Sequence, residues 1–82
     1  NSLKYFTNIT CLHLNEVYDV TDKSLKCLTN LTHLTIKYMQ HITDNSIKFL
    51  TNLIEMNLLY HNISKSCINN LTKLKNINYI TI

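Results

Sequence analysis

Five amino acids are missing from this 82-residue chain: glycine, proline, tryptophan, alanine and arginine. The missing glycine excludes a Gly-rich phosphate loop and leaves turns that need unusual backbone angles to asparagine. The missing arginine makes lysine the only strong base. With a net charge of +3, the chain lacks the clustered, arginine-rich stripe of a nucleic-acid binder. No apolar run of about 18 residues occurs, so no transmembrane helix is expected. No signal-peptide pattern opens the chain. All five absent residues have GC-leaning codons, whereas Asn, Ile, Lys, Thr, Leu and Tyr fill the sequence. The coding sequence therefore reads as AT-rich, and part of the Asn and Lys content reflects composition rather than design.

What is present is a repeat. Thr7-Asn8-Ile9, Thr29-Asn30-Leu31 and Thr51-Asn52-Leu53 recur in steps of 22 residues, as do Val20-Thr21-Asp22 and Ile42-Thr43-Asp44. Ile63-Ser64-Lys65 follows after 21, one residue being lost between Tyr60 and Ile63. Leu74, Ile77 and Tyr79 open a fourth unit. Counting Leu31 as position 1, leucine-class residues fall at positions 1, 4, 6 and 12. A fixed period with this spacing marks a solenoid of stacked strand-plus-helix units. The chain opens inside a helical half-unit, since Ser2-Leu3-Lys4-Tyr5-Phe6 matches Ser24-Leu25-Lys26-Cys27-Leu28. Residues 1–82 are expected to be a single array of about three full units plus partial units at both ends, a piece of a longer one.

Strands are expected at Cys11–Leu14, His33–Ile36, Glu55–Leu58 and Asn76–Tyr79. By two-residue alternation, Leu12, Leu34, Met56 and Ile77 form one inward column, and Leu14, Ile36, Leu58 and Tyr79 another. Thr21, Thr43 and Ser64 are helix N-cap candidates, because a side-chain oxygen there can accept free N–H groups. Asp22 and Asp44 suit the helix dipole. The column Ser2, Ser24, Ser46 and Cys67 is small throughout, which lets helices sit close to their neighbours. The Asn of each Thr-Asn-Leu lies between helix and strand, where it tolerates turn conformations.

These motifs resemble the leucine-rich repeat family. Ile-Thr-Asp-x-x-Ile/Leu-x-x-Leu is similar to the cysteine-containing repeats of F-box substrate receptors. Leu-Thr-Asn-Leu-Thr-x-Leu is similar to the repeats of bacterial internalins. The resemblance spans nearly the whole chain. It implies an α/β horseshoe segment with a parallel sheet on the concave side, short helices on the convex side, and a role in binding protein. Family position 9 is usually an inward Asn or Cys that ties the loop backbone together. Here it is Val17, Met39 and His61, so that ladder is absent and the loop backbone must find other partners. No F-box occurs in these residues, and a ubiquitin-ligase role would rest on analogy.

The chemistry-bearing residues offer little for catalysis. No nucleophile stands at usable spacing from a base, and no inward carboxylates pair, so no enzyme activity, cofactor or small-molecule substrate is expected. Cys11, Cys27 and Cys67 are odd in number and poorly spaced for a disulfide, and are expected to be free thiols in a reducing, cytoplasmic setting. Cys11, His33 and Glu55 share one column with His13 nearby, but a flat row diverges where a metal needs convergence. His61 is expected to bond its own loop or to lean to solvent. The sequons at Asn8, Asn30, Asn62 and Asn70 follow from the repeat in an Asn-rich chain. Lys4, Lys26 and Lys48 form a solvated column on the helix side.

The partner-binding surface is expected on the concave face, at His13, Asn15, Glu16, Thr35, Lys37, Tyr38, Asn57, Leu59 and Tyr60. Tyr38 and Tyr60, both at position 8, should stack in adjacent units about 5 Å apart and act as hot spots. A protein partner is expected, with no nucleic acid and no membrane. An extracellular adhesion or receptor array, or a non-catalytic part of an enzyme, are the alternative readings.

Overall fold

The computed structural model describes residues 7–80. The chain is α/β: four parallel strands, β1 (Cys11–Asn15), β2 (His33–Lys37), β3 (Glu55–Leu59) and β4 (Asn76–Tyr79), form one sheet in sequence order. Single helical turns, α1 (Asp22–Leu25), α2 (Asp44–Ile47) and α3 (Lys65–Asn69), link them. Register follows the repeat, pairing Leu12 with Leu34, Leu34 with Met56 and Met56 with Ile77. The first three strands run one residue past the expected ends, so Asn15, Lys37 and Leu59 are ladder residues.

Burial explains the leucine spacing. Leu34, Ile36, Met56 and Leu58 from the strands meet Leu25 and Ile47 from the helices. Leu28, Leu31, Leu50 and Leu53 from the return segments close the same core. Each such side chain contributes roughly 1.5–3 kcal/mol on burial. The columns weaken at the ends of the sheet. Leu12 and Ile77 are half-buried, and Tyr79, expected inward, is 49% exposed. Tyr79 does align with Leu58 in register, but β4 is the edge strand of the described sheet, and the ring leans on His61 with centroids 6.0 Å apart.

The absence of glycine has a visible consequence. Glu16, Tyr38 and Tyr60, all at position 8, adopt positive φ (53°, 56° and 49°). Each stands where the chain leaves its strand: Glu16 N–H donates to Lys37 O at 3.1 Å and Tyr38 N–H to Leu59 O at 2.9 Å before the turn. Left-handed backbone costs a non-glycine residue roughly 1–2 kcal/mol. The expectation that Asn of Thr-Asn-Leu bears the unusual angles is corrected. Asn30 and Asn52 instead bracket the units, donating through Nδ2 to Thr7 O (3.0 Å) and Thr29 O (2.9 Å) of the preceding unit.

The three N-caps stand as expected, at Thr21, Thr43 and Ser64. Thr43 Oγ accepts from Asn45 N–H, and Ser64 Oγ from Cys67 N–H. The small column is buried at Ser24, Ser46 and Cys67; Ser2 and Lys4 lie outside the described residues. Asp22 and Asp44 do more than face a helix dipole. The Asp22 carboxylate accepts from Thr43 N–H (2.9 Å), Thr43 Oγ and Ser46 Oγ. The Asp44 carboxylate accepts from Ser64 N–H (2.8 Å) and Ser64 Oγ. A carboxylate at the head of α1 and of α2 thus holds the N-cap of the next helix, and charge-assisted bonds of this kind are about twice as strong as neutral ones.

Candidate functional site: a tyrosine groove at the strand exits

Where the strands end, positions 8 to 11 of successive units come together. Tyr38 and Tyr60 stack with ring centroids 5.1 Å apart and planes inclined at 29°, the spacing expected of neighbouring strands. Tyr18 lies against the His41 ring at 5.7 Å. His41 is fixed in turn by its Nε2, 2.8 Å from Val20 O. These two aromatic pairs, with Thr21 and Gln40, line an open groove of about 820 Å3. Tyr18 is 70% exposed and Tyr60 55%. A ligand crevice beyond the carboxyl ends of parallel strands is a frequent location for binding sites in α/β sheets.

The left-handed turn is what aims the tyrosines. A strand side chain at position 8 would continue the inward face of positions 4 and 6. Reversing φ there turns Tyr38 and Tyr60 out beside the sheet edge instead. Position 9 then dips back inward, and Met39 is fully buried. Its sulfur accepts the Val17 N–H at 3.1 Å, which partly replaces the missing position-9 ladder. His61, at the same position, bonds its own loop: its Nδ1 accepts Ile63 N–H at 3.0 Å. This sets the neutral Nε2–H tautomer, and burial pushes the ring below its ordinary 6.5.

Of the residues expected to bind a partner, only Tyr38 and Tyr60 line this groove. His13, Asn15 and Glu16 are exposed, Glu16 at the head of the tyrosine column; Lys37 and Leu59 end their strands half-buried. Thr35 and Asn57 are engaged with each other, Asn57 Nδ2 donating to Thr35 Oγ1 at 3.1 Å, and Asn78 Nδ2 donates to Asn57 Oδ1 at 2.8 Å. The middle of this face of the sheet is thus a self-satisfied polar ladder. Tyr18, Thr21, Gln40 and His41 were not expected in the site. Their signal was available in the repeat phase: Tyr18 and Gln40 share position 10, next to the loop that carries position 8.

The remaining chemistry is quiet. Cys11, Cys27 and Cys67 are free thiols. Burial, then the neighbouring Asp44 carboxylate, pushes the Cys67 thiol up to about 11, so it stays protonated and unreactive at neutral pH. The Ser64 hydroxyl and Ser64 N–H hold the Asp44 carboxyl below its ordinary 3.8. Among the described residues no group of three or more His, Cys, Asp or Glu could hold a metal, and no helix is long and apolar enough to cross a membrane. Lys26 and Lys48 are exposed, with Lys48 Nζ 5.4 Å from the Phe49 ring. Comparison with protein family models, with curated proteins and with solved structures found no match.

Proposed function

We propose that this chain is a leucine-rich repeat segment, a horseshoe-like solenoid that binds a protein partner through the tyrosine groove and the adjoining strand exits. One observation carries the reading. Three exposed tyrosines converge on one groove, two of them stacked on each other at the position where each unit leaves its strand. Tyrosine also supplies large, rigid contact area with a hydroxyl at low entropy cost. The self-bonded Thr35–Asn57–Asn78 row narrows the reading from the whole concave face to its tyrosine margin. Free thiols, two of them exposed, favour a cytoplasmic setting over an oxidising one. The role is scaffolding or recognition, not catalysis.

The test compares partner capture by the intact protein with capture by Tyr38→Ala and Tyr60→Ala, and by Lys26→Ala and Lys48→Ala on the opposite side. Partners retained by the lysine variants and lost by the tyrosine variants are the expected outcome. Equal loss from both sides would refute the assignment of the surface.

A further inference from the structure

We propose that the guest of the tyrosine groove is a proline-rich segment of the protein partner, held as a polyproline II helix running along the stack of units. The inference rests on the binding role proposed above and adds the chemistry of the occupant. The lining comes from three successive units: Tyr18 and Thr21 from the first, Tyr38, Gln40 and His41 from the second, and Tyr60 from the third. Rings dominate it, and all three tyrosines are exposed. Aromatic-lined grooves are what proline-rich segments dock into, because the preformed polyproline II helix loses little entropy on binding. No lysine, aspartate or glutamate lines the groove. An ionised guest would lose its hydration there with no counter-charge in the lining to receive it, whereas rings with polar tips suit an uncharged one. Single-stranded nucleic acid also stacks on rings, but it needs a cationic track for its phosphates.

The spacing of the units selects the form of the guest. Neighbouring units lie one strand spacing apart, about 4.8 Å, and the Tyr38–Tyr60 ring separation of 5.1 Å follows it. The first and third units are therefore about 9.6 Å apart along the stack. A polyproline II helix rises about 3.1 Å per residue and returns the same face every third residue, after about 9.3 Å. Prolines three apart thus keep step with every second unit of the groove. An extended strand repeats its face after about 6.6–6.8 Å, which matches neither one unit nor two. Hydrogen bonding points the same way. Polyproline II has no internal hydrogen bonds and proline has no N–H, so the guest presents chiefly carbonyl acceptors. The groove can answer with donors, the three phenol hydroxyls and the Gln40 amide.

The test uses the intact protein labelled with fluorotyrosine and observed by fluorine NMR, each ring being assigned with a Tyr→Phe variant. The probe is an uncharged peptide with proline at every third residue. It is compared with a peptide of the same composition whose prolines alternate, with an alanine-substituted counterpart, and with a thymidine oligonucleotide. The every-third peptide should shift the Tyr18, Tyr38 and Tyr60 signals saturably and without dependence on salt. The alternating and alanine peptides should bind at least roughly 5-fold more weakly, the change expected from losing one hot-spot contact. Tyr60→Phe, which keeps the ring and removes one donor, should weaken binding less than Tyr60→Ala. Equal binding of the alternating or alanine peptide, tighter binding of the oligonucleotide, or no ring shifts with any probe would each overturn the proposal. The two readings separate in partner capture. Capture that depends on Tyr38 and Tyr60 but is not competed by the every-third peptide would leave the surface standing and remove the proline-rich guest.

Discussion

The junction between the first and second units and the junction between the second and third are built from the same parts, one of them with a residue missing. At the first, Asp22 gathers three bonds: the N–H and hydroxyl of Thr43, and the hydroxyl of the fully buried Ser46. His41 ties its loop back to Val20 O, and Met39 sulfur receives Val17 N–H. At the second, where the unit is 21 residues long, Asp44 holds both groups of Ser64, but Cys67 stands in place of Ser46. His61 turns back on its own loop. The lesson is that a shortened loop preserves the carboxylate clasp and a backbone bridge between Thr43 and Asn62, and gives up the side-chain ties that Met39 and His41 make at the first junction. The first junction should therefore be the tighter of the two, and the tyrosine column bridges the looser one.

The most direct way to break this comparison is to remove each carboxylate. Asp22→Ala leaves three donors searching for partners and should cost about 2 kcal/mol, against about 1 kcal/mol for Asp44→Ala, since bonds to charged groups are the strong ones. Urea denaturation measures both. Equal costs would mean that the missing residue has not loosened the second junction.

Acid should act on the second junction in two windows. His61 is neutral in the fold and below its ordinary 6.5. Its contribution is therefore complete above about 6.5 and is lost as pH falls through the lower folded value, because the unfolded chain binds the proton first. Asp44 behaves the same way further down: its stabilisation is complete above 3.8 and is lost below it. His61→Gln should erase the upper window and leave the lower one, as followed by thermal melting against pH. An unchanged upper window would assign it to another group.

A smaller effect sharpens the contrast. Cys67→Ser gives the second junction the hydroxyl that Ser46 supplies to the first. The coupling between residue 67 and Asp44, read from a double-mutant cycle, should rise by about 0.5–1 kcal/mol. No rise would show that the geometry, and not the thiol, limits the bond. Smallest of all, Glu16→Gly should stabilise the fold by about 0.5 kcal/mol by relieving a left-handed residue. Tyr38→Gly at the equivalent position should destabilise it instead, because the ring stack with Tyr60 is lost.

Much of the scaffold was legible before any coordinates. The period located all four strands to within a residue, the three N-caps and the small column, since each depends on local chemistry repeated in register. The Tyr38–Tyr60 stack followed from position 8 and the strand spacing alone. What was not legible depended on contacts between units. Asp22 and Thr43 lie in adjacent copies, and their bond becomes visible only when position 14 of one unit is set against position 13 of the next. The left-handed turn was assigned to Asn because Asn tolerates it best, whereas the fold imposes it on Glu16, Tyr38 and Tyr60, whatever their preference. Tyr79 was taken as core because its phase is inward, yet on the edge strand of the described sheet it stands 49% exposed. Tyr18, Gln40 and His41 escaped notice because positions 10 and 11 carry no recurring apolar residue, and only their shared phase beside position 8 marks them.

The central claim is that the left-handed tyrosine column is the binding surface, and affinity for an identified protein partner tests it most directly. Calorimetric titration should find Tyr38→Ala and Tyr60→Ala each weakened by more than about 1 kcal/mol, with Lys26→Ala and Lys48→Ala near the unsubstituted affinity. Tyrosine variants that bind as tightly as the unsubstituted protein while remaining folded would contradict it.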